Sequence, residues 1–223
     1  MRVFVLLCKI VWQDFKEDVI MTEKSVESFL SELSSGAPVP GGGGASALAG
    51  AAASALASMV ANLTTGKKKY AEYQADIERI LRDSDALRLK MNALIEKDAE
   101  VFEPLSKAYG IPKDEPGRDE ILEKALKTAS DAPMEIVRTA SEVMALIEEL
   151  TVKGSRLAIS DVGVAAAACE ACAKGAVMNV YINTKLMKDR KVAEAVNKEA
   201  DALVKDIVSR AEAAYNNVKN SLI

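Results

Sequence analysis

The chain has 223 residues, of which 49% are hydrophobic, 28% charged and 4% aromatic. That excludes a disordered chain and leaves enough length for one sizeable core or two small ones. With 29 Lys and Arg against 33 Asp and Glu, the net charge is −4, so no global basic field favours nucleic acid. Histidine is absent, which removes the commonest general base near neutral pH and the commonest metal ligand. Acid–base chemistry must then come from carboxylates, Lys, Tyr, Cys or the backbone. Three cysteines do not make a disulfide framework, and a reducing, cytoplasmic compartment fits them. A core this poor in aromatics has to be built from Ala, Leu, Val, Ile and Met, which favours helices at close approach.

In chain order, Arg2 and the apolar run to Leu7 resemble a signal peptide superficially. Lys9 interrupts the run and no small-residue cleavage site follows. Residues 1–21 are read as an optional leader or a misassigned start, with Met21 as the functional start, and the domain covers 22–223. Val26, Phe29, Leu30 and Leu33 mark a short amphipathic helix. A loop over 34–44 carries "APVPGGGG", and an Ala-rich helix is expected from Gly44 to about Leu63. "TTGKKKY" reads as a turn, followed by a long helix from about Tyr70 to Tyr109 that Gly110 and Pro112 end. A helix over about 118–130 follows. Asp131-Ala132-Pro133 then looks like an N-cap with Pro in the first turn, so a separate helix is expected to about Thr151. "VKGSRLAIS" is a connection, and helices over about 161–187 and 191–221 complete the chain. With no convincing strand period after the leader and no internal repeat, the expected class is all-α, an antiparallel multi-helix bundle in a single domain.

Several residues carry chemical possibilities. Ala45–Leu63 is long and uncharged enough to raise a membrane span, but Ala and Ser dominate it and Leu is sparse, so a buried helix is the preferred reading. At about 100° per residue, Leu87, Met91, Leu94, Asp98, Val101 and Leu105 share one stripe, with Glu96, Glu100 and Glu103 on the other side. Apolar neighbours should raise the Asp98 pKa into a useful acid–base range, unless a Lys, Arg or backbone group satisfies a merely buried Asp. Asp161, after Ser160, is either a helix-start residue or a site carboxylate. Its helix puts Asp161, Ala165, Ala168, Cys172, Asn179 and Asn183 on one stripe, whose alanines leave room for a ligand or a close helix. Asn179 and Asn183 offer donor–acceptor edges suited to a pterin ring. Cys169 and Cys172 spell C-x-x-C without a second ligand pair or a βαβ context, and read as small buried thiols. The glycine run is no P-loop. It is either a flexible turn or a place where Gly41, Gly42, Gly43 and Gly44 let a ligand lie against the main chain at a helix start.

The segments "PVPGGGGASALAGAAASALASMVANLTTGKKKY", "LIEKDAEVFEPL" and "SRLAISDVGVAAAACEACAKGAVMNVYIN" together resemble the cyclodeaminase/cyclohydrolase family, over nearly the whole chain from about Ser25. The resemblance implies an all-helical, homodimeric, cytoplasmic enzyme acting on one-carbon tetrahydrofolates, with no membrane or nucleic-acid partner and no metal or redox cofactor. Two reactions follow from it: hydrolysis of 5,10-methenyltetrahydrofolate to 10-formyltetrahydrofolate, placed first, and closure of 5-formiminotetrahydrofolate with loss of ammonia. A non-catalytic folate- or partner-binding bundle is the rival class. By the same resemblance Asp98 is the acid–base aspartate, and Asp161 a site carboxylate beside Ser160. Gly41 to Gly44, Asn179 and Asn183 contact the folate, and Lys67 pairs with a folate glutamate carboxylate. Relatives often carry Gly-Asn ahead of the Ser-Asp segment, where this chain has Gly154-Ser155.

Overall fold

A computed structural model describes residues 21–223; the leader, apart from Met21, lies outside them. Six helices follow a first turn over Met21–Glu23: α1 (Val26–Leu33), α2 (Gly42–Asn62), α3 (Gln74–Tyr109), α4 (Arg118–Lys153), α5 (Ile159–Leu186) and α6 (Arg190–Asn220). Short 3-10 turns over Lys68–Tyr73 and Arg156–Ala158 lead into α3 and α5. No strand occurs among the described residues, so the all-α expectation holds.

Side-chain contacts fix the topology. Ser54 Oγ donates to Ser84 O at 2.7 Å, Arg79 pairs with Glu149 at 2.7 Å, and Asn183 Nδ2 donates to Ala129 O at 2.9 Å. Thr184 Oγ1 donates to Asn197 Oδ1 at 2.7 Å. These contacts make each of the five long helices antiparallel to the next. α2 is built of small and apolar residues around most of its circumference. Its small residues permit close approach: a Cβ on Gly50 would come within 2.7 Å of Met91 Cε on α3 and 2.8 Å of Cys172 Sγ on α5. By length and composition Gly42–Asn62 could cross a membrane. Here it is embraced by α3 and α5, with Ala47, Ala53, Ala57, Val60 and Ala61 at 0–1% exposure.

Two expectations are corrected. The separate helices at 118–130 and from Pro133 are one continuous α4. Proline lacks the N–H that would bond the carbonyl four residues back, the Ala129 carbonyl. Asn183 of α5 supplies that missing donor, so the helix passes through Pro133 without an orphaned carbonyl. The glycine run is mostly helical as well, because α2 begins at Gly42 and only Gly41 remains outside, as its N-cap.

The outer side of the bundle is uneven. Ion pairs join the helices there, including Arg210–Glu148 and Arg138–Glu199. The outward stripes of α2 and α5 are instead mostly apolar: Met59 on α2, Leu63 at its C-terminal cap, and Val164, Met178, Ile182 and Leu186 on α5 are all exposed, with Lys174, paired to Glu170, a charge among them. Ala52, Ala167 and Ala171 continue these stripes.

Candidate active site

The first turn of any α-helix holds backbone N–H groups without intrahelical acceptors. In α2 that turn is made of glycine, and α3 lays Asp98 across it. A Cβ on Gly43 would fall inside the Asp98 carboxyl group, so only glycine lets the carboxylate reach the helix start. Asp98 is half-buried, on the stripe with Leu94 and Val101 that the sequence indicated. Burial pushes its pKa up to about 6, and the Gly44 backbone N–H turned toward the carboxylate pulls it partly back. No basic side chain contributes to that shift. A carboxyl group with a pKa near 6 can both take and return a proton near neutral pH.

α5 supplies the third wall. The Asn179 amide atoms lie 3.5 and 3.6 Å from where a Cβ on Gly42 would be, and Asn179 Nδ2 donates to Gly175 O at 3.2 Å. Ser46 Oγ donates to Gly42 O at 2.6 Å and occupies the space left by the missing Gly175 side chain. Gly42, Gly43, Gly44, Asp98 and Asn179 therefore meet at one end of the bundle, with Gly41 next to them. Asn183, one turn further along α5, is buried and commits its amide N–H to Ala129. Its position is a helix joint.

Lys67, Ser160 and Asp161 are not at this end. The pairs Gly42–Asn179, Ser46–Gly175 and Gly50–Cys172 run antiparallel, so the start of α5 lies level with the end of α2. The 21-residue α2 separates the two ends by about 30 Å. At the second end Lys67 Nζ donates to Ser155 Oγ at 3.1 Å, and Ser155 N–H donates to Thr64 Oγ1 at 2.8 Å. The Tyr70 hydroxyl accepts from Arg156 N–H at 2.9 Å. Ser160 is exposed and Asp161 half-buried in the first turn of α5. Sequence reasoning passes over Tyr70, because its position after three lysines gives no periodic signal of burial. Ser155 enters that reasoning only as a difference from relatives. The two thiols are buried and free. Burial pushes Cys169 up to about 12 and Cys172 well above the usual thiol range, which leaves both inert at neutral pH.

The chain as a whole resembles known proteins. A family model described as formiminotransferase-cyclodeaminase matches residues 25–202. A methenyltetrahydrofolate cyclohydrolase of Methylorubrum extorquens is 41% identical over 89% of this chain and 98% of its own. The formimidoyltransferase-cyclodeaminase of Sus scrofa is 30% identical over 86% of this chain, which spans only 36% of that longer protein. A crystal structure of formiminotetrahydrofolate cyclodeaminase from Thermotoga maritima superposes with a TM-score of 0.78 at 33% identity, over 88% of this chain and 98% of that one. With a family match over most of the chain, and a relative and a solved structure matched along almost their whole lengths, the chain belongs to the formiminotransferase-cyclodeaminase family.

Proposed function

We propose that this protein is a methenyltetrahydrofolate cyclohydrolase that uses Asp98 as its acid–base group. The observation that carries the reading is the Asp98 carboxyl pressed against the glycine turn, with its pKa pushed up to about 6. Support for the substrate comes from the 41% identical relative, which is matched along almost its entire length. Ionised Asp98 takes a proton from water as the water oxygen bonds to the carbon between N5 and N10. The protonated Asp98 then gives that proton to N5 as the N5–carbon bond breaks. The carbon stays on N10 as a formyl group, and its hydroxyl proton leaves to solvent. Only water and proton transfer balance this reaction, so the proposal includes no metal or redox cofactor. Asn179 offers an amide oxygen to the pterin edge, and the Gly41–Gly44 turn gives the ring a main chain to lie on.

The cyclodeaminase reaction suits the same carboxyl. N10 bonds to the carbon of the protonated formimino group, and Asp98 carries the N10 proton to the departing NH2 nitrogen, which leaves as ammonia with the methenyl cation as product. The Thermotoga maritima neighbour favours this second reading.

A homodimer in the cytoplasm completes the proposal. The exposed apolar stripes of α2 and α5 are the face we assign to a second copy. A two-fold axis across these antiparallel helices would set the Lys67 end of one chain beside the Asp98 end of the other. Lys67 would then reach the glutamate carboxylate of a folate whose pterin lies at the second copy's Asp98, with Ser160 and Asp161 lining the path between.

The deciding assay follows the loss of methenyltetrahydrofolate absorbance with purified protein, against buffer alone and the Asp98→Asn variant. Acceleration that disappears in the variant is expected. A folded protein that accelerates nothing would refute the cyclohydrolase reading, and ammonia release from the formimino substrate would then select the second.

A further inference from the structure

The corner formed by Lys67, Tyr70 and Ser155 brings two hydroxyl groups together. The Ser155 oxygen accepts from Lys67 Nζ at 3.1 Å, and the Tyr70 oxygen from Arg156 N–H at 2.9 Å. Both oxygens thus serve as acceptors, and among the described residues neither hydroxyl meets an acceptor of its own in hydrogen-bond geometry. The corner is also cationic. Lys67, Lys68 and Lys69 have no carboxylate within ion-pair distance among the described residues. The Lys69 ammonium stands 5.6 Å from the Tyr70 ring centroid.

The corner is rigid as well. Tyr70 is 9% exposed, Ser155 2% and Thr64 1%. Thr64 Oγ1 donates to Val60 O at 2.7 Å, which ties Ser155 to the last turn of α2. The Tyr70 phenol is pulled below its usual pKa, first by the Arg156 N–H and then, against the opposing effect of burial, by Lys69, Ser155 and Lys67. A phenol in that state is a better hydrogen-bond donor. Rigid donors without acceptors, beside ammonium groups, match a carboxylate.

We propose that Tyr70 and Ser155 act with Lys67 as a clamp for the glutamate carboxylate of the folate, so that Tyr70 selects the tail of the substrate and leaves the reacting ring to Asp98. The proposal rests on the folate reading above. Tyr70 is a positioning residue, because it touches the end of the substrate that does not react.

The test compares wild type, Tyr70→Phe and Ser155→Ala on 5,10-methenyltetrahydrofolate and on 5,10-methenyltetrahydropteroate, which lacks the glutamate. Tyr70→Phe keeps the ring and its packing. With the folate it should raise KM about tenfold at nearly unchanged kcat, the pattern of lost uniform binding. With the pteroate the variant and wild type should behave alike, both with high KM. An equal fall in kcat on both substrates, or an unchanged KM for the folate, would overturn the clamp. If Tyr70→Phe does not fold, Ser155→Ala reads the same contrast.

Calorimetric binding of 5-formyltetrahydrofolate and 5-formyltetrahydropteroate separates this inference from the enzymatic one. Tighter binding of the glutamate-bearing ligand that is lost in the variants supports the clamp even in a protein without turnover. Equal affinity for the two ligands, or no binding of either, overturns it.

Discussion

At the scale of single residues, Asp98 holds two properties in opposition. Its folded pKa near 6, against an ordinary 3.8, means that the folded protein holds this proton more tightly than the unfolded chain does. The stability Asp98 contributes is therefore complete below about pH 3.8 and is lost as pH rises through 6, a difference of at most about 3 kcal/mol. Asp98→Asn removes the buried charge. It should raise the midpoint of thermal unfolding at pH 8 while lowering kcat by at least about 100-fold. A non-catalytic bundle would show the stabilisation without the loss. The same pKa sets the pH dependence of catalysis. As the base toward water Asp98 must be ionised, so kcat/KM should climb from pH 5 and level off above pH 7, with a midpoint near 6. Initial rates corrected for the buffer reaction check this, and a flat profile would remove Asp98 from the rate equation. Gly43→Val places a side chain where the carboxyl sits. It should abolish folate binding, or raise KM steeply, with helical circular dichroism retained.

At the scale of elements, the joint between α4 and α5 tests how a helix crosses a proline. Asn183→Ala leaves the Ala129 carbonyl buried without a donor, which should cost about 1–3 kcal/mol of stability. Folate KM in the folded fraction should be unchanged. Pro133→Ala restores a backbone N–H at that position, so it should be less destabilising, or even stabilising, in the Asn183→Ala background. A double-mutant cycle from urea unfolding measures the coupling, and strict additivity would show that Asn183 does not serve Pro133. This joint also shows what the sequence could and could not tell. Five of the six helices and the chain order were legible, because Val26, Phe29, Leu30 and Leu33, or Leu87, Met91 and Leu94, repeat at helical spacing, whereas α4 read as two helices. Pro133 read as a helix start because proline at a first turn needs no partner, whereas proline inside a helix needs one from elsewhere. That partner, Asn183, lies 54 residues along the chain from the Ala129 carbonyl it serves, beyond any local pattern. Asp98 was legible for the opposite reason, since its burial follows from neighbours on its own helix. Its contact with Gly43 depends on how two helices cross, and no local pattern carries that.

At the scale of the whole molecule, residues that the sequence grouped into one site fall at two ends of α2. Asp98 and Asn179 are at its start, Lys67 and Asp161 near its end. One folate monoglutamate is too short to touch both ends of a helix about 30 Å long. A second copy resolves the separation, because antiparallel packing of the exposed α2 and α5 stripes sets unlike ends together. Introducing charge at the middle of that face, with Met178→Glu or Ala171→Glu, should therefore convert a dimer to a monomer in sedimentation and abolish turnover in the same step. An active monomer would show that each chain is sufficient. Mixing gives a stricter test. Asp98→Asn and Lys67→Met chains each form dimers with two damaged sites. When the two are unfolded together and refolded, half the dimers are mixed, and each mixed dimer has one site with both residues intact. At substrate well below KM, activity should recover toward about a quarter of wild type, far above either parent. If Asp98 and Lys67 served the same site within one chain, mixed dimers would contain only singly damaged sites, and the activity would stay at the average of the parents.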